Sequence, residues 1–310
     1  MSASVLVPGF QTTIQDLGRP GHAALGVSAS GAADPVALRV GLRLVGNEPR
    51  AASLEMTLVG ATLRFDRDAV IALTGAHVDA RLDGLAVPSW RAVEIRRGAT
   101  LACGPIRDGA RAYLAVRGGL EASPVFGSAS THLATGLGGL EGRALRASDA
   151  LAFGSAVTAE PADRAVVPSE IPGYRSAEPF RVTEGPQASW FGAKARLEFH
   201  AATWRVTEAC DRMGIRLEGP ALGLAAPREL VTEGVVLGSV QVPASGLPIV
   251  LFVEHQTTGG YPKIATVASV DAARLGQLRP RDTLRFAPVA FDEAVDLARA
   301  QERALRALLA

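Results

Sequence analysis

The chain has 310 residues, 48% of them hydrophobic and 20% charged, with a net charge of +1 from 32 basic and 31 acidic side chains. That is enough apolar sequence to bury a sizeable core in one large or two ordinary domains. Aromatics at 5%, with no basic stripe between them, argue against nucleic acid as the main partner. No apolar segment reaches the ~18 residues of a spanning helix, so no membrane association is expected. Cys103 and Cys210 are too few and too far apart for a disulfide framework or a four-thiolate zinc site, and read as free thiols. Met1 to Val7 shows no basic region leading into an apolar stretch, so no secretory signal is visible and a cytoplasmic location is expected.

In chain order, the first polar cluster comes early. Thr12-Thr13-Ile14-Gln15-Asp16-Leu17-Gly18-Arg19-Pro20-Gly21 is followed by Gly26 to Pro35, which includes Ser28, Ser30 and Gly31. Asp16 and Arg19 form either a local ion pair, worth under ~1 kcal/mol at a surface, or part of a site in which the Arg19 fork binds a carboxylate or carbamate. Asp34 and Pro35 then open a helix as N-cap and first helical residue. Val36, Leu38, Val40, Leu42, Leu44 and Val45 give it a broad apolar face, and Gly46-Asn47 ends it. An anion at its N-terminus is one reading; an end already capped by Asp34 is the other.

Short strands are expected next, over 69–73, 78–82, 92–95, 100–102 and 112–116, punctuated by Gly75, Asp83-Gly84, Gly98 and Asp108-Gly109. Asp83-Gly84 is a hairpin signal. Strands at this spacing predict a barrel or sandwich. The Pro-, Ala- and Glu-rich stretch 158–179 reads as a linker. The expected organisation is an N-terminal half over 1–158, a linker over 159–179 and a C-terminal half over 180–310. The second half is predicted to open with a helix over 186–197, started by Pro186. Strands are expected at 204–208, 215–217, 239–242, 249–253 and 264–267, and an amphipathic helix over 291–309.

Two further clusters lie in this half. Asp211-Arg212 precedes a strand, and is either a turn-tying pair or a base with a carboxylate or carbonyl binder. Gln241 lines the same mouth or satisfies a neighbouring strand. The densest stretch is His255-Gln256-Thr257-Thr258-Gly259-Gly260-Tyr261-Pro262-Lys263, which follows an apolar run. Polar residues packed so densely after a core strand suggest a loop aimed at a ligand; a polar hairpin turn is the alternative.

Together five blocks carry a resemblance: Thr12 to Gly21, Ser28 to Pro35, Asp211 to Gly219, Gly238 to Pro243, and His255 to Ala265. In order and content they resemble the KipA family, also called allophanate hydrolase subunit 2 or the biotin-dependent carboxyltransferase family. Its best-known member is the C subunit of the bacterial ATP-dependent 5-oxoprolinase. One departure is Glu254, where the family often has Asp. The resemblance implies a mainly β protein built of two cyclophilin-like β-barrel halves with a few flanking helices.

It also implies a hydrolase component, inactive without its partners. A KipI-like B subunit would join it, together with an A subunit, to open the lactam of 5-oxoproline into glutamate, using ATP at a site not located in this chain. A second implied reading is the carboxyltransferase component of a urea carboxylase-like enzyme, fed by carboxybiotin on another protein. A third is a non-catalytic partner of a KipI-like kinase inhibitor. Asp211, His255 and Lys263 are the catalytic candidates. Thr13, Gln15, Asp16, Arg19, Ser30, Arg212, Gln241, Gln256, Thr257, Thr258, Gly259, Gly260 and Tyr261 are the candidates for binding a small amide or lactam.

The sequence has no P-loop, no Gly-x-Ser-x-Gly elbow, no amidase signature and no Ala-Met-Lys-Met biotinylation site. Its five histidines are isolated from one another, and no metal site is expected.

Overall fold

The computed structural model describes residues 2–155, 157–163, 165–171 and 178–309. It is mainly β, as expected, with one sheet curled into a half-barrel and a second that nearly closes. The chain forms two compact units, one of Met1–Arg19 with Ser30–Glu170, the other of Pro20–Ala29 with Ile171–Leu308. Within the segment expected to be a linker, residues 172–177 lie outside the described residues. No described helix is long and apolar enough to cross a membrane.

The first unit holds β1 (Ala3–Val7), β2 (Gln11–Gln15), α1 (Pro35–Leu44), β3 (Ser53–Thr57), β4 (Thr62–Phe65), β5 (Ala69–Leu82), β6 (Leu85–Ala86), β7 (Ala92–Ile95), β8 (Thr100–Val116) and β9 (Ala150–Leu151). Strand β8 is its spine. It pairs with β4 along its first part, with β3 along its second, and with β5 along nearly all its length. The sequence suggests two short strands in place of each of β5 and β8. Instead each runs on through its glycine, because the glycine bends the strand without ending it. At Gly75 (φ 89°) the register of β5 shifts, and a Cβ there would lie 2.6 Å from the Arg111 carbonyl oxygen. Only glycine allows that approach. The Asp83-Gly84 hairpin forms as expected, with Leu82 opposite Leu85.

Helix α1 also starts as expected. The Asp34 side chain accepts from Ala37 N at 2.9 Å, and Pro35 occupies the first turn. A buried network supports this end: Tyr113 Oη donates to Glu55 Oε2 at 2.6 Å, Ala33 N donates to the same oxygen at 2.8 Å, and Asp34 N donates to Tyr113 Oη at 2.8 Å. Burial, followed by the charges of Glu55 and Asp34, pushes the Tyr113 phenol well above its ordinary pKa, so it stays a donor. Cys103 is buried in the same unit's core, and burial pushes its thiol up to about 12.

The second unit holds β10 (Phe180–Glu184), α2 (Ala193–Ala201), β11 (Trp204–Val206), β12 (Gly214–Glu218), β13 (Glu233–Gly234), β14 (Ser239–Gln241), β15 (Ile249–Leu251), β16 (Thr258–Gly259), β17 (Lys263–Val267), α3 (Ala272–Leu275), β18 (Thr283–Leu284), β19 (Phe286–Pro288) and α4 (Phe291–Leu309). Its main sheet runs β18-β11-β12-β15-β14-β17-β10-β19. The two edge strands are consecutive in sequence, separated by Arg285 alone, so the chain itself nearly closes the barrel. The Phe199 ring stacks on Phe286 at 4.7 Å, and Trp204 Nε1 donates to the Phe199 carbonyl at 3.0 Å.

The helix predicted over 186–197 is displaced: a short 3-10 turn spans Ala188–Trp190, and α2 starts only at Ala193. Gly185 N and Gln187 N are already committed to the Ile264 and Lys263 carbonyls, at 3.0 and 3.2 Å. Sheet pairing therefore overrides the local preference of Pro186 for a first helical turn.

Asp271 ties the barrel to the segment preceding α3. Arg181 donates to it through its backbone N–H (2.8 Å), Nε (3.0 Å) and Nη2 (2.6 Å), and Arg274 approaches at 3.0 Å. Burial pushes the Asp271 pKa up, but the Arg181 hydrogen bonds and the charge of Arg274 outweigh this and hold it below the usual aspartate value. A carboxyl depressed in the folded state stabilises above its unfolded pKa and loses that contribution as pH falls through its folded value. Thermal melts of Asp271→Asn should therefore lie well below the unsubstituted protein near neutrality. The gap should close as pH drops below about 4.

Candidate functional site in the second unit

In the first unit, the early polar cluster organises a loop. Asp16 Oδ1 accepts from Gly18 N (2.7 Å), Ser128 Oγ (2.6 Å) and Ser130 Oγ (2.6 Å), while Oδ2 accepts from Ala129 N (2.7 Å). Arg19, 1% exposed, donates through Nε to the Val125 carbonyl at 3.1 Å and through Nη2 to that of Ser130. Gln15 Nε2 donates to Thr13 Oγ1 and to the Thr131 carbonyl, both at 3.0 Å, and Ser30 Oγ donates to Thr131 O at 3.1 Å. These five candidates thus converge on residues 125–131. A carboxylate with several donors and a buried guanidinium on main-chain carbonyls are the pattern of a loop clamp.

The second unit holds the remaining candidates, and of these Asp211, Gln241, Gln256 and Tyr261 line one cleft. A cleft of about 600 Å³ is lined by Asp211, Met213, Gln241, Gln256 and Tyr261, with Pro243 and Leu247 on its apolar side. That volume and mixed lining suit a small ligand. Gln241 sits on β14 and is 1% exposed. Its Oε1 accepts from Gln256 Nε2 at 3.3 Å, while its own Nε2 has no hydrogen-bond partner. A buried amide N–H without a partner costs about 1–3 kcal/mol, a cost that a ligand's oxygen would remove. Thr258 and Gly259 form β16 and pair with β13, Gly259 opposite Glu233. Thr257 accepts at its carbonyl from Val235 N at 3.1 Å, and Gly260 and Tyr261 are exposed at the tip. The stretch expected to be a loop is therefore partly a two-stranded ribbon.

Lys263, the first residue of β17, stands opposite Gln241. It is 3% exposed, and its Nζ lies 2.5 Å from Glu233 Oε1. Gln187 Nε2 donates to the same Glu233 oxygen at 2.9 Å, and Gln187 Oε1 accepts from Lys263 N at 3.1 Å. Hydrogen bonds from Lys263 and then Gln187 hold the Glu233 carboxyl below its usual pKa. Gly185 makes this possible, since a Cβ there would lie 2.3 Å from the Lys263 carbonyl oxygen. Neither Glu233 nor Gln187 stands out in the sequence; the available signal is the scarcity of lysine, for Lys194 and Lys263 are the only two in the chain.

Asp211 differs from its expected state. The sequence suggests a buried base, yet Asp211 is exposed and its Oδ1 accepts from Met213 N (2.8 Å) and Gly214 N (3.0 Å). A short acidic side chain bonding its own downstream backbone is a turn former. Arg212 is buried at 4% and donates through Nε to Glu254 Oε1 at 2.5 Å, while Glu254 N donates to the Arg212 carbonyl at 2.8 Å. His255 is half-buried; its Nδ1 lies 2.6 Å from the Gln256 carbonyl, which can only accept. Nδ1 therefore carries the proton and Nε2 the lone pair. Burial pushes the His255 pKa down, with that hydrogen bond opposing, so Nε2 is unprotonated at neutral pH. Among the described residues no three or more His, Cys, Asp or Glu side chains are grouped to hold a metal ion.

The cleft carries the paired amides of Gln241 and Gln256, and Lys263 stands next to Gln241 in the sheet register, an arrangement suited to a small polar ligand. The family model of the carboxyltransferase domain, subdomain A and B, matches residues 25–288, and the chain belongs to that family. The chain is 39% identical over 300 residues to the 5-oxoprolinase C subunit of Escherichia coli (strain K12), covering 96% of this chain and 95% of that one. It is 36% identical to the 5-oxoprolinase C subunit of Haemophilus influenzae, covering 94% and 93%. The crystal structure of K. lactis urea amidolyase superposes with a TM-score of 0.92 at 31% identity; the match covers 98% of this chain and 20% of that much longer one.

The cleft makes a specific prediction. A Cβ on Gly259 would lie 2.4 Å from Gln241 Nε2, and the amide, as the end of a flexible side chain, would move aside. Gly259→Ala should therefore leave thermal stability nearly unchanged while raising the KM for the ligand of this cleft about tenfold, the loss of one good hydrogen bond.

Proposed function

We propose that this chain is the C subunit of an ATP-dependent 5-oxoprolinase, acting with a KipI-like B subunit, and with an A subunit, to hydrolyse 5-oxoproline to glutamate. The observation that carries the reading is the Gln241–Gln256 amide pair on a cleft of ligand size, with the Gln241 N–H unspent. A lactam presents an N–H and a C=O on the same edge, which a pair of primary amides can both donate to and accept from. The two bacterial relatives named as 5-oxoprolinase C subunits, matched along nearly their whole length, support the same substrate.

In this reading ATP phosphorylates the lactam oxygen, one water adds at the carbon, the ring C–N bond breaks to leave an acyl phosphate, and a second water releases the phosphate. The net change turns ATP, 5-oxoproline and two waters into ADP, phosphate and glutamate. The buried Lys263 supplies a positive charge that holds the anionic carboxylate of the substrate in a site shielded from water. His255 Nε2 takes the role of proton acceptor for the attacking water in this reading, a role supported by its unprotonated state. The ATP site belongs to the assembled complex, which is expected in the cytoplasm.

A second reading has its own support. The family model and the superposition on urea amidolyase favour a carboxyltransferase component, which would take carboxybiotin from another protein and pass carbon dioxide to an amide nitrogen. A biotin ureido ring offers the same N–H and C=O edge to Gln241 and Gln256, so the amide pair serves both chemistries.

Co-expression with the two partner proteins, followed by an assay for ATP-dependent glutamate release, separates them. Turnover requiring all three chains supports the oxoprolinase. A stable complex that releases no glutamate but consumes free carboxybiotin when an amide acceptor is added supports the alternative. In the active complex, Lys263→Ala should lower kcat/KM by about 100-fold or more without loss of assembly; unchanged kcat/KM would remove Lys263 from the site.

A further inference from the structure

Lys263 is buried by the barrel, whereas the only other lysine, Lys194, stands exposed on α2. Thirty of the 32 basic side chains are arginine. A compact ammonium suits a single oxygen atom, where arginine's planar fork suits two. The ammonium meets one carboxylate oxygen, Glu233 Oε1, at 2.5 Å, and Gln187 Nε2 reaches that same oxygen at 2.9 Å.

The two donors and the acceptor are held very differently. Gln187 is 5% exposed, and its other end is fixed on Lys263 N at 3.1 Å. The Glu233 side chain is 41% exposed. It rides on β13, a two-residue strand whose one sheet partner among the described residues is the equally short β16. Its neighbours Val231 and Val236 are 87% and 59% exposed, and among residues 231–237 Val235 alone is buried, at 8%, so apolar burial anchors this segment at a single point. Rigid donors facing a lightly held acceptor describe a binding subsite whose occupant can be exchanged. Among the described residues, Glu233 is the charged group that the contacts place on the Lys263 ammonium.

We propose that Lys263 Nζ and Gln187 Nε2 form a carboxylate-binding subsite, filled by Glu233 of the same chain until the carboxylate of a small substrate replaces it. Glu233 is thereby a positioning residue and an internal competitor. The inference rests on the reading that a carboxylate-bearing lactam enters this unit, and it assigns where that carboxylate goes. Exchange conserves charge: one carboxylate leaves the ammonium as another arrives, so the buried cation is never unpaired.

The test is reductive methylation of the full chain, read at Lys263 and Lys194 by peptide mass spectrometry. In Glu233→Gln, Lys263 should react at least about tenfold faster than in the unsubstituted protein, a difference of ~1.4 kcal/mol in protection, with Lys194 unchanged. Acetate and 5-oxoproline should each restore slow labelling in Glu233→Gln, and 2-pyrrolidinone, the same lactam without the carboxylate, should not. Glu233→Asp, with a shorter carboxylate, should be intermediate and keeps the test valid if Glu233→Gln folds poorly. Equal labelling of Lys263 with and without the Glu233 carboxylate overturns the proposal. So does failure of both carboxylates to protect, or equal protection by 2-pyrrolidinone. Protection by acetate but not by 5-oxoproline keeps the subsite and counts against the oxoprolinase reading. Absent turnover in the assembled complex likewise bears on that reading and leaves the labelling result standing.

Discussion

A cation taken out of water must be given a partner, and in the second unit that requirement organises the site. The Lys263 ammonium is buried, and Glu233 answers its charge at 2.5 Å. Everything nearby serves this contact. Gly185 lets the chain run hard against β17, Gln187 hydrogen-bonds both the Lys263 backbone and the Glu233 carboxylate, and the β13–β16 ribbon carries Glu233 into reach. Without the carboxylate the site would hold an uncompensated buried charge, which costs far more than the pair itself contributes. The same ribbon places Gly259 against the Gln241 amide, so the charged pair and the amide pair share one support.

The first unit obeys the same rule with the sign reversed. Asp16 receives donors from Gly18, Ser128, Ala129 and Ser130, and Glu55 receives them from Tyr113 and Ala33. These carboxylates hold a loop and a helix start in place. The contrast with the cleft is instructive. The Asp16 cluster also leaves a buried atom over, Gln15 Oε1, but its carboxylate is met from inside the chain and it reads as architecture; the leftover Gln241 Nε2 belongs to a residue that lines an open cleft, and there it reads as a place for a ligand.

What could be read in the sequence was local. Asp34-Pro35 marks the start of α1, Asp83-Gly84 its hairpin, and the run from His255 to Lys263 the polar stretch that borders the cleft, because caps, turns and composition are properties of neighbouring residues. What could not be read depends on pairing across the chain. Gly75 and Asp108-Gly109 look like strand ends but are bends within two long strands, since β5 and β8 support each other through the irregularity. Pro186 looks like a helix start, but hydrogen bonds to β17 claim that backbone first. Glu233 and Gln187 sit in unremarked sequence and acquire meaning only when three separate segments meet at Lys263. Asp211, which reads as a buried base, is an exposed turn former.

We propose that the cleft of the second unit's barrel binds the substrate. A crystal structure of the chain soaked with 5-oxoproline would show where the lactam sits. The lactam edge should lie against the Gln241 and Gln256 amides, with an oxygen bonded to Gln241 Nε2. Ligand bound elsewhere on the chain, with Gln241 and Gln256 still bonded only to each other, would contradict it.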